Sequence, residues 1–306
     1  MRYSVALMAL LLVACNQGQL VSGTTPSPAS CRLPVSMSDS QYHLHGGFIQ
    51  FPGGKVTMDA DGGAYYDRAF SRWLPVSHEA VSLDGSQYAY LDLKVPGTDA
   101  RQQLHLVELP SGNEKLYQAA PTGDPAGYVV VSIGPEGIWL SYAGYEGPSG
   151  GLFLLDLTTG QMKEVGGQQG IFNPVAGSPG IFWFTDSGPN PQPRGGIGGY
   201  LLTRVQRLTV SDGMTNVWFS KDGSDLRVLG IDLTGHPIIA DENNVWLGTA
   251  QDHTQPIAVP EGFYSAVVAD KHGIWLGGDK GIYLYTPNGE VQRISDQVAA
   301  LAGPCF

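Results

Sequence analysis

The sequence predicts an all-β fold, a single β-propeller of about six four-stranded blades, with seven blades as the alternative. Three observations lead to this prediction. From residue 41 onward, short runs rich in Val, Ile, Tyr, Phe and Trp alternate with turns of Gly, Asp, Asn and Pro, and helical periodicity is almost absent. Gly 42 and Pro 21 among 306 residues supply many tight turns. The runs fall into groups of four that recur about every 40 to 50 residues, which is the spacing of propeller blades.

Six groups of predicted strands follow one another along the chain. They cover residues 46–76, 80–117, 128–165, 171–220, 226–259 and 266–294. The last group is the most regular, because its four short strands are separated by short turns. The first group is the least regular and the fourth is long, so either could hold the extra sheet of a seventh blade.

A turn residue followed by a β-branched residue and a tryptophan recurs in four of these groups, mostly where the second strand begins. The tryptophans are Trp139, Trp183, Trp246 and Trp275. A large ring at this position is expected to fill the gap between neighbouring twisted sheets. We therefore interpret the four rings as inter-blade packing, with carbohydrate stacking as the alternative for any one of them.

The amino-terminal segment predicts export. Arg2 is followed by the unbroken apolar run 5–14, which is too short to span a bilayer and has the length of a signal-peptide core. The run ends in Leu-Val-Ala-Cys at 12–15, which resembles the lipobox of bacterial lipoproteins. The resemblance implies cleavage before Cys15 and a diacylglyceryl thioether on its sulfur, so the membrane is a partner through this lipid. An ordinary signal peptide with an incidental cysteine is the alternative.

The residues after Cys15 predict a tether. Residues 16–30 are rich in Ser, Thr, Pro and Gly and carry no charge, a composition that cannot bury enough apolar surface to order itself. The chain therefore divides into a lipoprotein signal peptide (1–14), a lipidated cysteine with a flexible tether (15–30) and a propeller domain (31–306). We expect the domain on the extracytoplasmic side of the bacterial cell envelope, attached to the membrane by lipid.

The two remaining cysteines predict a disulfide that joins the ends of the domain. Cys31 opens the domain and Cys305 is the penultimate residue. Disulfides persist in extracytoplasmic compartments, where free thiols are awkward. A bridge that closes so long a loop would stabilise the fold by about 5 kcal/mol in the chain-entropy model. Two unrelated free thiols are the alternative.

Two blades carry family resemblances. Residues 273–285 (GIWLGGDKGIYLY) resemble the propeller repeat of two-component-regulator periplasmic sensors, and residues 81–90 (VSLDGSQYAY) are similar to the WD40-like repeat of TolB-type propellers. The whole chain resembles bacterial lipoproteins with a six- or seven-bladed propeller. These resemblances imply the superfold and leave the activity open, since one fold hosts many functions.

Charge and motifs exclude several activities. The net charge of −11 argues against nucleic-acid binding and favours a soluble, monomeric domain. His43 and His45 share one face of a strand, but no third ligand lies near enough in the sequence to predict a metal site. We therefore predict neither a metal nor a cofactor.

One enzyme alternative remains. Residues 180–187 (GIFWFTDS) are similar to a strand of gluconolactonase-like propellers that carries a metal-binding aspartate. The resemblance implies that Asp186 would help to hold Ca²⁺ in the central funnel, where a lactonase or other hydrolase would act. The glutamate and asparagine that complete such a site cannot be placed in this sequence.

Three irregular insertions predict a recognition surface. Residues 95–102, 143–150 and 187–199 each follow the second strand of a blade, so they should emerge on one face of the ring. The candidate binding residues near them are Tyr142, Tyr145, Trp183, Asp186 and Arg194. We therefore favour a non-catalytic module that binds an unknown protein or small-molecule ligand, while tolerated surface loops without function remain an alternative.

Overall fold

A computed structural model describes residues 30–39, 43–92, 102–119, 127–142, 151–165, 171–189, 201–222 and 224–306. These residues form 25 β-strands and one short 3-10 turn, His78–Ala80, so the all-β prediction is confirmed. Within this part of the chain, no helix is long and apolar enough to cross a bilayer. The predicted signal peptide and all but the last residue of the predicted tether lie outside the described residues.

The strands are short and are separated by tight turns, which agrees with the many glycines in the sequence. In chain order they are β1 (Cys31–Ser38), β2 (Leu44–Phe51), β3 (Lys55–Met58), β4 (Tyr65–Asp67), β5 (Arg72–Leu74), β6 (Gln87–Leu91), β7 (Gln103–Glu108), β8 (Glu114–Gln118), β9 (Tyr128–Gly134), β10 (Gly137–Tyr142), β11 (Leu152–Leu155), β12 (Met162–Val165), β13 (Phe172–Ala176), β14 (Ile181–Pro189), β15 (Leu201–Thr209), β16 (Met214–Asp222), β17 (Arg227–Ile231), β18 (Pro237–Ala240), β19 (Val245–Ala250), β20 (His253–Ile257), β21 (Tyr264–Asp270), β22 (Gly273–Gly278), β23 (Gly281–Tyr285), β24 (Val291–Ser295) and β25 (Ala300–Leu301).

Blades 3 to 6 are regular four-stranded antiparallel sheets in which the strands lie side by side in chain order. They consist of β9–β12, β13–β16, β17–β20 and β21–β24. The first strand of each blade contacts the first strand of the next, from β9 to β13, β17 and β21. These first strands therefore surround a common axis, as the inner strands of a propeller do.

Blade 1 closes the ring with strands from both ends of the domain. Its strand order is β25-β1-β2-β3, and β1 pairs with β25 through Val35 opposite Leu301 and Ser36 opposite Ala300. The sequence-based first group, residues 46–76, is therefore wrong in two respects. It omits β1, and it includes β4 and β5, which form a hairpin of their own. β1 pairs with β2, which follows it in the chain, but its second partner, β25, lies at the other end of the sequence, where local patterning gives no sign of it.

Blade 2 is the least regular sheet. Strands β6-β7-β8 pair in order, and the predicted first strand, residues 80–83, is reduced to a single bridge between Val81 and Tyr88. The β4–β5 hairpin lies between blades 1 and 2, because Leu74 packs with Val81 and Leu109 of blade 2 and Tyr66 meets Phe48 of blade 1 edge to face. The ring therefore has six blades, as the sequence predicts, with the hairpin as an addition between the first two.

Aromatic rings fill the gaps between blades. Trp139 of blade 3 lies 4.7 Å from Phe182 of blade 4, measured between ring centroids. Trp275 of blade 6 meets Phe51 of blade 1 edge to face at 5.4 Å. Burial of rings of this size dominates packing between twisted sheets. The recurring tryptophan tag therefore marks positions of inter-blade contact.

The predicted disulfide is present between Cys31 and Cys305, with Cα atoms 5.6 Å apart. Cys31 is the first residue of β1, and Cys305 follows β25 near the carboxyl terminus. Both residues are buried in the cluster that joins blade 6 to blade 1. The bond therefore reinforces covalently the same junction that β1 and β25 close by pairing.

Candidate functional site

One face of the ring collects the connections from the second to the third strand of each blade, together with those that lead to the next blade. We call it the loop face. The strand ends at Tyr142 and Pro189 lie on this face, as does the turn 241–244 of blade 5. Two of the predicted insertions, 143–150 and most of 187–199, follow directly from these strand ends and lie outside the described residues, as does most of 95–102.

The five predicted binding residues fall into two groups. Tyr145 and Arg194 lie outside the described residues, and only the backbone of Tyr142, at the end of β10, is described. Trp183 and Asp186 both lie on β14, three residues apart, so the strand points them to opposite sides of the sheet. The structure therefore does not bring these two side chains together.

Asp186 is engaged in an ion pair inside blade 4. It lies opposite Arg204 of β15, whose Nε donates to Asp186 Oδ1 at 2.9 Å and whose Nη2 donates to Oδ2. This bidentate contact raises the pKa of Arg204 further above its ordinary value. Because both oxygens of Asp186 already accept from one guanidinium, the carboxylate serves as a cross-strand tie.

Trp183 belongs to the core between blades 4 and 5. Only 2% of its surface is exposed, and its ring meets Trp218 edge to face at a centroid distance of 5.0 Å. Its indole Nε1 is buried and has no acceptor among the described residues. The ring is therefore out of reach of a ligand at the loop face.

Sequence reasoning missed a charged cluster where blades 4 and 5 meet at the loop face. Asp241 has a side chain only 7% exposed, and its Oδ2 accepts from Lys221 Nζ at 2.6 Å. Its Oδ1 accepts the backbone N–H groups of Asn243 and Asn244 at 2.8 and 2.7 Å. Burial alone would raise the pKa of Asp241, but these hydrogen bonds outweigh it and lower the pKa to about 2. Asp241 is therefore a fixed carboxylate that anchors Lys221.

A cation–aromatic pair lies beside this cluster. The guanidinium of Arg227, at the start of β17, lies 4.0 Å from the ring centroid of Phe263, and its Nη2 donates to the carbonyl of Asp241 at 3.3 Å. Phe263 precedes β21 and is 49% exposed. The backbone N–H of Phe263 donates to Asp279 Oδ1 at 3.0 Å, which holds the ring at the loop face. Arg227 and Phe263 together thus form an accessible surface that combines a cation with an apolar ring.

One signal in the sequence could have identified Arg227 and Phe263 as candidates. Connections from a fourth strand to the next first strand reach the same face as the long insertions, and Arg227 and Phe263 stand at the ends of two such connections. The pairing of Lys221 with Asp241 could not have been found this way, because it joins side chains of neighbouring blades.

Blade 2 carries a self-contained polar network. His105 lies between two carboxylates, with Nε2 at 3.1 Å from Asp92 Oδ1 and Nδ1 at 2.6 Å from Glu114 Oε1. Tyr90 stacks on His105 and donates its hydroxyl proton to Glu114, a hydrogen bond that raises the pKa of Tyr90 to about 12. The same bond and the contact with His105 lower the pKa of Glu114. The groups satisfy one another, so the network needs no ligand.

The histidine pair of blade 1 has an acidic neighbour, four residues before His43, that sequence reasoning missed. Oδ2 of Asp39 lies 3.3 Å from His43 Nδ1 and 3.0 Å from His45 Nε2. Among the described residues, however, three ligand-type atoms converge within 4.8 Å of one another at a single place, Cys31, His272 and Cys305. That group lies at the face opposite the loop face.

Two surface grooves lie away from the Arg227–Phe263 pair. One, of about 710 Å³, is lined by residues 53–54 and 293–298 at the junction of blades 6 and 1. The other, of about 490 Å³, is lined by residues 86–87 and 108–111 of blade 2. Neither groove includes a residue that the sequence marked for binding.

Several solved structures resemble this chain at low sequence identity. TolB from Acinetobacter baumannii is 13% identical with a TM-score of 0.48, over 81% of this chain and 64% of that chain. The β-propeller domain of the Trilobed protease from Pyrococcus furiosus is 12% identical with a TM-score of 0.46, over 87% and 81%. A putative 6-phosphogluconolactonase from Bacteroides uniformis is 10% identical with a TM-score of 0.45, over 89% and 97%.

These likenesses do not reveal what the protein does. This chain spans less than two thirds of the length of TolB. No family model matches the chain, and no curated protein matches it. At such identities and scores a shared architecture carries no argument about activity, because function is set by the site and not by the fold.

Proposed function

We propose that this protein is a lipid-anchored extracytoplasmic β-propeller that binds a protein or small-molecule ligand at its loop face and does not catalyse a reaction. The observation that supports binding is the Arg227–Phe263 pair. A half-exposed aromatic ring held beneath a guanidinium is the kind of surface that protein interfaces favour, since arginine and aromatic residues are enriched there. Tyr142, Tyr145 and Arg194 belong to the same proposed surface.

The engaged carboxylates favour a non-catalytic role. A calcium-dependent lactonase would need oxygen ligands that are available to the ion. Asp186 has both oxygens on Arg204, and Asp241 has both oxygens on Lys221 and two backbone N–H groups. A calcium ion at Asp186 would have to compete with Arg204 for the same carboxylate. The lactonase remains the second candidate, without a described residue that favours it.

The position of the tether fits a loop face that points away from the membrane. β1 is the second strand of blade 1 and runs toward the loop face, so Cys31 begins at the opposite face. The 15 residues at 16–30 would span about 20 Å as a flexible coil. A lipid on Cys15 would therefore hold the opposite face near the bilayer and leave the Arg227–Phe263 pair accessible.

Site-specific photo-crosslinking in intact cells tests the binding surface. A photoreactive residue at Phe263, on the loop face, is compared with one at Leu233, which is 70% exposed in the turn between β17 and β18 on the opposite face. We expect a discrete adduct at position 263 that Arg227→Ser weakens, and none at 233. Fractionation of the same cells should show Cys15→Ala released from the membrane.

Three results would contradict the proposal. Equal adducts at positions 263 and 233 would show that the loop face is not selective. Retention of Cys15→Ala in alkaline-washed membranes would refute lipid anchoring. Calcium-dependent hydrolysis of a lactone that Asp186→Asn abolishes would establish the enzyme instead.

A further inference from the structure

The disulfide lies within a cluster of metal-ligating side chains at the face opposite the loop face. The sulfurs of Cys31 and Cys305 and an imidazole nitrogen of His272 lie within 4.8 Å of one another. His272 Nδ1 is 3.9 Å from Cys31 Sγ. Two cysteines and a histidine form a ligand set that thiophilic divalent cations prefer.

His272 has an unexplained buried nitrogen. Its side chain is only 9% exposed, and its ring lies against Phe51 and Trp275 at centroid distances of 5.9 and 6.1 Å. Nε2 is buried and has no hydrogen-bond partner among the described residues. Nδ1 is the nitrogen that lies near the sulfurs, so Nε2 would carry the ring proton when Nδ1 binds a cation.

Asp270 holds the segments that carry the ligands. Its Oδ1 accepts the backbone N–H of His272 at 2.7 Å and lies 3.0 Å from Nδ1. Its Oδ2 accepts the backbone N–H of Cys305 at 2.9 Å and Nε1–H of Trp275 at 2.8 Å. Three of these four contacts do not involve the imidazole. Asp270 therefore keeps both segments in place even when Nδ1 exchanges its contact with the carboxylate for another.

We propose that, when the disulfide is reduced, Cys31, Cys305 and His272 bind one thiophilic divalent cation of the Zn²⁺ type. Zinc bonds of about 2.3 Å to sulfur and about 2.0 Å to nitrogen place tetrahedral ligand atoms about 3.5 to 3.8 Å apart. The separation of His272 Nδ1 from Cys31 Sγ is already 3.9 Å. Breaking the bond between the sulfurs lets them move apart. It also frees Cys305 Sγ, which lies within 4.8 Å of the imidazole nitrogen, to adopt the same spacing.

The chemistry balances with a dithiol as reductant. The dithiol gives two electrons and two protons to the S–S bond and itself becomes a disulfide, leaving thiols at Cys31 and Cys305. The cation then displaces both thiol protons and binds two thiolates and the imidazole lone pair. The ion joins the two ends of the domain in place of the covalent bond. This site is independent of the function proposed for the loop face.

Cobalt binding to the purified full-length protein tests the site. Co²⁺ serves as the probe, because thiolate coordination gives a charge-transfer absorption band. We expect about one Co²⁺ per chain after reduction with a phosphine and no band in the oxidised protein, with Zn²⁺ displacing the cobalt. His272→Gln should weaken cobalt binding by about tenfold or more, the loss that even an outer-sphere partner can cause. His253→Gln, an exposed histidine of blade 5, is the matched control and should leave binding unchanged.

Any of three outcomes overturns the proposal. They are the absence of the band in the reduced protein, full affinity in His272→Gln, and equal binding in the oxidised form. Binding that disappears only in a His43→Gln, His45→Gln double variant would place the cobalt on blade 1 instead. If Cys305→Ser fails to fold, the oxidised and reduced forms of the unaltered protein still decide the question.

Discussion

Two junctions of the ring are held together by different means. Where blade 6 meets blade 1, a disulfide, the pairing of β25 with β1 and the carboxylate of Asp270 act together. Where blade 4 meets blade 5, an apolar cluster and the Lys221–Asp241 ion pair suffice. The first junction joins cysteines separated by 274 residues, whereas the second is bridged by a few residues of continuous chain. Joining distant residues costs more chain entropy, so covalent reinforcement is placed where that cost is largest.

Removal of the disulfide should have the largest effect. Cys31→Ser frees a loop of this length in the unfolded state and is expected to lower the free energy of unfolding by about 5 kcal/mol. Thermal denaturation in the presence of a chelator measures the change. The unaltered protein with a reductant should reproduce the melting temperature of the variant. An unchanged melting temperature would mean that strand pairing alone closes the ring.

Removal of Lys221 should have a smaller effect at the other junction. Lys221→Met leaves the buried Asp241 carboxylate without its cation, and we expect a loss of about 2 kcal/mol because Lys221 itself is partly solvated. Urea denaturation at pH 7 measures it. Lys280→Met is the matched control, since its ion pair with Asp279 is half-exposed on both sides and should contribute little. An equal cost for the two variants would contradict the role given to Asp241.

The same ion pair predicts a pH dependence. The pKa of Asp241 is about 2 in the folded protein, below its ordinary value near 3.8. Its stabilising contribution is therefore fully present above about pH 4 and is lost as the pH falls toward 2. In Lys221→Met the pKa of Asp241 should rise, so the stability difference between the two proteins should narrow over this window. A constant difference would show that the contribution of Lys221 to stability does not come from its pairing with Asp241.

Two tryptophans offer the finest comparison. Trp275 Nε1 donates to the nearly buried Asp270, and Trp139 Nε1 donates to the exposed Glu136, both at 2.8 Å. Phenylalanine at either position removes the donor and a similar ring area. We expect Trp275→Phe to lower the free energy of unfolding by about 1 kcal/mol more than Trp139→Phe does. Water can replace the lost indole hydrogen bond at the exposed Glu136 but not at the nearly buried Asp270. Urea denaturation of both variants measures the two losses. Equal losses would contradict the role given to Asp270 in holding blade 6 to blade 1.

Most strands could be predicted from the sequence, since blades 2 to 6 consist of neighbouring segments joined by short turns. Blade 1 could not, because β1 acquires its inner neighbour from residues 300–301. The same limit applies to the site. Asp186 is recognisable as an acidic residue on a strand. Its partner Arg204 is 18 residues further along the chain, beyond an insertion, so the sequence does not show that the two residues lie opposite each other.

The sequence by itself determined the all-β class, the repeat of about 40 to 50 residues and the cysteine pair at the ends of the domain, because these depend on local alternation, turn chemistry and counting. Only the tertiary structure decided which charges are neutralised, which aromatic rings are buried and which are accessible. Trp183 and Phe263 are both aromatic residues near strand ends, yet one is enclosed by blades 4 and 5 and the other is half-exposed beneath Arg227. That difference arises from packing between blades, where contacts join residues that are distant in sequence.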